Sequence, residues 1–195
     1  MKLFKIFSIR NSLILISFGI ILVLLLLISF GNLKQSYVRV VNGQEAVVFG
    51  LPISLKIPKI NINSKIEYVG LTSGGAMDVP KGPANVAWFN LGTHPGDIGS
   101  AVLAGHSGWK DGIPAVFDNL SKLKKGDKIY IKNKTGDNLV FIVREIKRYD
   151  PKADATLVFT STDGKAHVNL IACTGTWDTF TKSHSQRLVV FTDKE

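Results

Sequence analysis

The segment Val168-Asn-Leu-Ile-Ala-Cys-Thr-Gly175 holds the chain's single cysteine at the close of an apolar run and ends in Thr-Gly. A short apolar run bounded by turn residues reads as a buried strand. Cys173 is therefore expected at a strand end, where a loop can open a cleft. Comparable runs lie upstream and downstream, at Ser100-Ala-Val-Leu-Ala104, Leu139-Val-Phe-Ile-Val143 and Leu188-Val-Val-Phe191. Ile53-Ser-Leu-Lys-Ile57 and Lys128-Ile-Tyr-Ile-Lys132 alternate as half-buried strands do. Turn residues punctuate them at Ser73-Gly-Gly75, Pro95-Gly-Asp97, Lys125-Gly-Asp127 and Thr135-Gly-Asp-Asn138. Helical signals are few: Pro114 to Leu123, with Val116, Leu120 and Leu123 on one side, and one turn within Ala153 to Phe159. Many short strands with few helices predict a mostly β barrel or sandwich from about Leu51 to the end.

Ahead of this domain, Leu13 to Phe30 is 18 residues long, and only Ser17, Gly19 and Ser29 are not strongly apolar. A helix rising ~1.5 Å per residue would nearly span a ~30 Å hydrocarbon core with that length. A signal peptide's apolar region is shorter, ~7–15 residues, and no polar face recurs as it would in a buried helix. Lys2, Lys5 and Arg10 precede the stretch and no acid appears before Glu45, so the positive-inside tendency puts the N-terminus in the cytoplasm. The expected layout is a cytoplasmic segment 1–12, a transmembrane anchor 13–31, a stalk 32–50 and an extracellular domain 51–195. The formal net charge of +9 is scattered rather than run together, which favours a basic surface protein over a nucleic-acid binder.

One cysteine excludes an internal disulfide framework and a Cys-rich zinc site. In an exported domain it is either an inert core residue or a working thiol. A working thiol needs a base nearby and a donor for the developing oxyanion. Four histidines are available. His106 ends an apolar run in Leu103-Ala-Gly-His106-Ser-Gly108, His94 precedes Pro95-Gly96, His167 begins the cysteine strand, and His184 lies among polar residues. Acids such as Glu67, Asp78 and Asp97 are dispersed and form no ligand loop, so neither a metal nor a cofactor is expected.

Ala104-Gly-His106 after a strand, Phe117-Asp-Asn-Leu120, Lys125-Gly-Asp127, Leu170-Ile-Ala-Cys173 and Arg187 entering the last apolar run together resemble the sortases. These are membrane-anchored cysteine transpeptidases of Gram-positive cell surfaces. Their usual Thr-Leu-x-Thr-Cys signature is Asn169-Leu-Ile-Ala-Cys173 here, so both Thr positions differ. Trp88-Phe-Asn90, Pro95-Gly-Asp-Ile-Gly-Ser100 and Cys173-Thr-Gly-Thr-Trp-Asp178 are most similar to class F-like members. Leu51-Pro-Ile-Ser54 superficially resembles a sorting signal, but it leads into the first strand of the domain.

The resemblance implies a closed antiparallel β-barrel of about eight strands with short helices. It implies that Cys173 is the nucleophile, His106 the acid/base and Arg187 the group that orients substrate and stabilises the oxyanion. The implied reaction cleaves a Leu-Pro-x-Thr-Gly-like sorting signal of a surface protein through a thioacyl-enzyme. Transfer to an amine follows, from a lipid-linked wall precursor or a pilin lysine. Two alternatives share parts of this pattern. Another cysteine peptidase or an L,D-transpeptidase would also use a thiol, although the Ser-His-Gly-Cys motif of the latter is absent. A noncatalytic surface-anchored binding module would use none.

Overall fold

The computed structural model describes residues 37–41 and 44–195. Leu13 to Phe30 and the segment before it lie outside the described residues, so the expected anchor does too. Among the described residues no helix is long and apolar enough to cross a membrane. The chain divides into two units, residues 1–35 and Ser36–Glu195.

Within the stretch read as a stalk, Tyr37–Val41 (β1) and Gln44–Val48 (β2) pair as an antiparallel ladder, with Tyr37 opposite Val48 and Val41 opposite Gln44. In the sequence Asn42-Gly43 lies between them, a dipeptide favoured in two-residue hairpin loops. Eight further strands follow: Pro52–Ile57 (β3), Ile62–Val69 (β4), Val86–Phe89 (β5), Gly99–Gly105 (β6), Lys128–Asn133 (β7), Asn138–Tyr149 (β8), Ala166–Asp178 (β9) and Ser183–Lys194 (β10). They close a barrel in the order β3-β4-β5-β6-β9-β10-β8-β7. Closure leaves these strands no open edge.

The barrel is mixed rather than wholly antiparallel. β4 runs parallel to β5, and β6 runs parallel to β9. A parallel neighbour needs a crossover connection. Here residues 70–85 supply the first crossover, and the long excursion through β7 and β8 supplies the second. Alternation sorts the side chains. Leu55, Trp88, Leu103, Ile131, Phe141 and Leu170 fill the interior. Val102, Val189 and Phe191 point from the outer face and pack against Val158 of a short α-helix, Thr156–Phe159 (α1). At ~25 cal/mol per Å² of apolar area, the interior cluster supplies the bulk of the hydrophobic stabilisation, and the outer cluster fastens α1.

The helix expected over Pro114 to Leu123 does not form; only the last part makes a 3₁₀ turn, Leu120–Lys122. Tertiary partners fix its leading amides, including Phe117 N–H, which would make the first i→i−4 bond of a helix starting at Pro114. Val116 N–H donates to Pro83 O at 2.7 Å and Phe117 N–H to His106 O at 2.9 Å. The Asp118 carboxylate accepts from Gly108 N–H and Ala115 N–H at 2.7 and 2.8 Å. This wraps the segment around the end of β6 instead of coiling it.

A polar network holds the loop between α1 and β9. The buried His167 ring reaches Asp163 through Nε2 at 2.9 Å and Asp193 through Nδ1 at 2.9 Å, and Arg144 meets Asp193 at 2.6 Å. The hydrogen bond to His167, together with the Lys165 amide and the Ser161 hydroxyl, holds the Asp163 carboxyl well below the usual carboxylate range. A depressed carboxylate contributes stability above its unfolded pKa, ~3.9, and loses it as pH falls through the folded value. The melting temperature is therefore expected to decline progressively below about pH 4. Asp163→Asn should remove this part of the acid dependence, with the two proteins diverging least at the lowest pH. Thermal melts of both across pH 2–7 check this.

Candidate active site

Register alone places the three candidate residues side by side. The parallel ladder between β6 and β9 runs from Gly99 opposite Ala166 to Gly105 opposite Ala172, so the next position sets His106 beside Cys173. The antiparallel ladder between β9 and β10 pairs Cys173 directly with Arg187. His106, Cys173 and Arg187 thus form a row across three adjacent strand lines, which lie ~4.8 Å apart in a sheet. Ala172 and Leu188 face the interior, so Cys173 and Arg187 point outward. The site belongs to the outer wall of the barrel, not to its lumen.

Cys173 and Arg187 are not at strand ends, as the sequence had suggested. β9 continues to Asp178, and β10 begins four residues before Arg187. The Thr174-Gly175 signal marks a bulge instead. Trp177 pairs with His184 and Thr174 with Gln186, so Gly175 and Thr176 together oppose Ser185. Gly175 has φ +82°, the left-handed conformation that such a bulge requires and glycine supplies. Thr176 N–H donates to Ser185 Oγ at 3.1 Å across it. The cysteine therefore sits just inside the point where the ribbon changes its twist.

Gly105 sets the approach to His106. A Cβ there would overlap the Phe117 ring and come within 2.8 Å of Val116 Cγ1. Its absence lets the segment 113–117 close over the end of β6. His106 is half-buried, its Nε2 lies 2.8 Å from Pro80 O, and its ring meets Trp109 edge-on at 4.6 Å. A carbonyl oxygen only accepts, so the proton in this bond is on Nε2.

His106 and Cys173 line one cleft of about 680 Å³ together with Trp109, Lys110, Trp177 and His184. His184 is the residue sequence reasoning placed wrongly. It is part of β10, stacks edge-on to Trp177 at 5.1 Å and shares the cleft. Its pairing position opposite Trp177 was hidden by the bulge. The other two histidines stand apart: His94 packs on Trp88 at 4.7 Å, and His167 belongs to the carboxylate network.

Arg187 lines an adjoining groove of about 530 Å³, walled by Met77, Phe89, Tyr149, Phe159 and Ile171. Its guanidinium donates to His184 O at 3.0 Å, Gln186 O at 3.1 Å and Ser183 Oγ at 3.2 Å. Asn169, at the first altered signature position, is buried and donates from Nδ2 to Val158 O at 2.7 Å, tying α1 to β9. Ala172, at the second, packs in the core. Both departures thus hold structure around the groove and leave the thiol's place in the row intact. Among the described residues no group of three or more His, Cys, Asp or Glu side chains could hold a metal ion.

A thiol, an imidazole and a guanidinium set in one row on a rigid barrel wall are the groups that acyl transfer through a cysteine needs. A model of the sortase domain matches residues 55–195, and the chain belongs to the sortase family. Solved structures agree. Sortase A from Corynebacterium diphtheriae, in a lid mutant, is 26% identical over 74% of this chain and 70% of its own, with a TM-score of 0.60. Sortase C-1 from Actinomyces oris is 27% identical over 74% of both chains, with a TM-score of 0.59. Sortase C from Clostridium perfringens SM101 is 25% identical over 75% of this chain and 71% of its own, with a TM-score of 0.55. No curated protein matches. The structural relatives carry class A and class C names, whereas the likeness to class F-like members rests on the sequence motifs alone.

Proposed function

We propose that this sortase cleaves a Leu-Pro-x-Thr-Gly-like signal at the C-terminal end of a surface protein and transfers it to an amine. The observation that carries the reading is the row of His106, Cys173 and Arg187 where an apolar groove meets an aromatic cleft. The groove offers Met77, Phe89, Phe159 and Ile171 to the apolar residues of an extended peptide, placing its scissile carbonyl at Cys173. The thiolate attacks that carbonyl, and an oxyanion forms. As the C–N bond breaks, His106 gives a proton to the departing amine and a thioester remains. An acceptor amine entering by the cleft attacks the thioester, loses a proton to His106 and restores the thiolate. The acceptor is a lipid-linked wall precursor or a pilin lysine, and the protein works from the outer face of a cell membrane, held by Leu13 to Phe30.

The test is a library of fluorogenic peptides varied around Leu-Pro-x-Thr-Gly, with acceptor amines varied in parallel, using the full-length chain. Cleavage of one motif family with amine-dependent product sinks the binding-module alternative; no turnover of any member sinks the proposal. Recovery of the protein in the soluble fraction, with an N-terminus beginning near Asn32, would remove the anchor.

Arg187 gives a sharper expectation. Its planar fork offers several donors in fixed geometry, whereas lysine offers a point charge. To reach an oxyanion it must turn from the carbonyls of His184 and Gln186 toward Cys173, its direct cross-strand partner. Losing one oxyanion donor costs about 2.7–4 kcal/mol, ~10²–10³ in rate. Arg187→Lys and Arg187→Ala are both expected to lose about that factor in kcat/KM, with little change in melting temperature. Near-normal turnover of Arg187→Lys would show that bidentate geometry is not used.

A further inference from the structure

The structure assigns Glu67 as a positioning residue for His106, acting through one peptide group. This rests on the sortase reading of His106. The carbonyl that accepts from His106 Nε2 is that of Pro80, at 2.8 Å. The same peptide plane carries the Lys81 N–H, which donates to Glu67 Oε2 at 3.1 Å. In a trans peptide, C=O and N–H point in opposite directions, so Glu67 and His106 lie on the two ends of a single peptide dipole.

A carboxylate at the N–H end draws that proton and makes the carbonyl oxygen a stronger acceptor, because hydrogen bonds in a chain polarise one another. The consequence at the ring is specific. The Nε2 proton is held against Pro80 O, and in the neutral imidazole Nδ1 is then the nitrogen with a lone pair. His106 keeps one tautomer and one ring orientation through both halves of the cycle. A histidine in a nucleophilic site commonly gains this from a carboxylate bonded to it directly; here the carboxylate works one peptide removed.

Glu67 is also fixed from its other oxygen. Asn85 Nδ2 donates to Oε1 at 2.8 Å, so the carboxylate bridges Lys81 and Asn85 on the crossover between β4 and β5. Pro80 is itself buried, and its ring fixes φ, which limits the ways this peptide can tilt. A second staple on the same crossover, Ser64 Oγ to Ala84 O at 3.0 Å, does not touch the Pro80–Lys81 peptide and serves as a control.

The experiment compares wild type, Glu67→Gln, Glu67→Ala and Ser64→Ala as full-length chains. Imidazole ¹⁵N spectra of histidine-labelled protein are read beside kcat and KM for peptide cleavage, with His106→Ala assigning the resonance. In wild type the His106 proton should reside on Nε2. Glu67→Gln keeps the shape, removes the charge and leaves one acceptor oxygen in place of two. It should weaken the Nε2–H hydrogen bond and lower kcat about tenfold, with KM changed less than twofold. That is the low end of the ~10–100-fold cost of removing an outer partner of a metal-bound histidine. Glu67→Ala should mix the tautomers. Ser64→Ala should leave both spectrum and kcat as in wild type.

An unchanged His106 resonance in Glu67→Gln overturns the proposal. So does a Ser64→Ala variant that reproduces the Glu67→Gln losses, because the crossover would then be acting as a simple anchor. Wild-type protein inert toward every sorting peptide, with the resonance still responding to Glu67→Gln, supports the coupling while the proposed function falls.

Discussion

Replacing Cys173 by alanine is expected to abolish both peptide cleavage and amine transfer while the barrel remains folded. The side chain is half-buried on the outer face, and its strand neighbours Ala172 and Leu170 carry the core contacts. Losing a sulfur there removes little buried surface, so the melting temperature should stay within a few degrees, the shift that ~1 kcal/mol produces in a domain of this size. The chemistry has no substitute. No other cysteine exists in the chain, and a thioester cannot form without a thiol. Intact-mass spectra taken during turnover should show an acyl adduct on wild type and none on Cys173→Ala. Turnover by the variant above background would take the nucleophile's role from Cys173.

The second large effect separates the two histidines of the cleft. His106→Ala is expected to cost the ~10²–10⁴-fold typical of a general acid/base. His184→Ala should cost far less, although both rings line the same space as the thiol. The difference lies in how each is held. His106 occupies the register position beside Cys173, and its Nε2 is tied to Pro80 O. His184 sits beyond the bulge, against Trp177 in the projecting ribbon, with Nδ1 at 3.3 Å from Gly175 O. Measured kcat/KM for each alanine variant checks this. A loss in His184→Ala equal to that in His106→Ala would move the acid/base assignment.

Much of the barrel is legible because its strands state their own period. Ile53 to Ile57 and Lys128 to Lys132 alternate, and the continuous run Ser100 to Ala104 becomes β6, buried along its length. The row of site residues is implicit too, since Cys173 and Arg187 stand on the outward phase of their strands. What sequence could not show is pairing. The parallel β6–β9 ladder joins segments distant along the chain, and no local signal reports it. The misreadings have local causes. Gly175 resembled a strand terminator because a bulge and a turn both call for positive φ. Pro114 to Leu123 has helical spacing, but His106 O takes the Phe117 amide that would begin the helical ladder. His184 looked like loop because the bulge breaks the alternation that would have marked it as strand.

The parallel pairing of β6 with β9 also sets when the active site can exist. Local hairpins such as β3–β4 and β7–β8 join neighbouring segments and close early, whereas a parallel ladder between distant segments carries a loop-closure cost before it gains contacts. β9 and β10 are the last strands of the chain, and they hold Cys173 and Arg187 while β6 leads into His106. Until β9 lies along β6, the histidine has no thiol beside it. The reactive pair comes into being only as the barrel seals, so competence and completion of the fold are one event. In refolding experiments, transpeptidation should recover no sooner than the burial of Trp88 in the core.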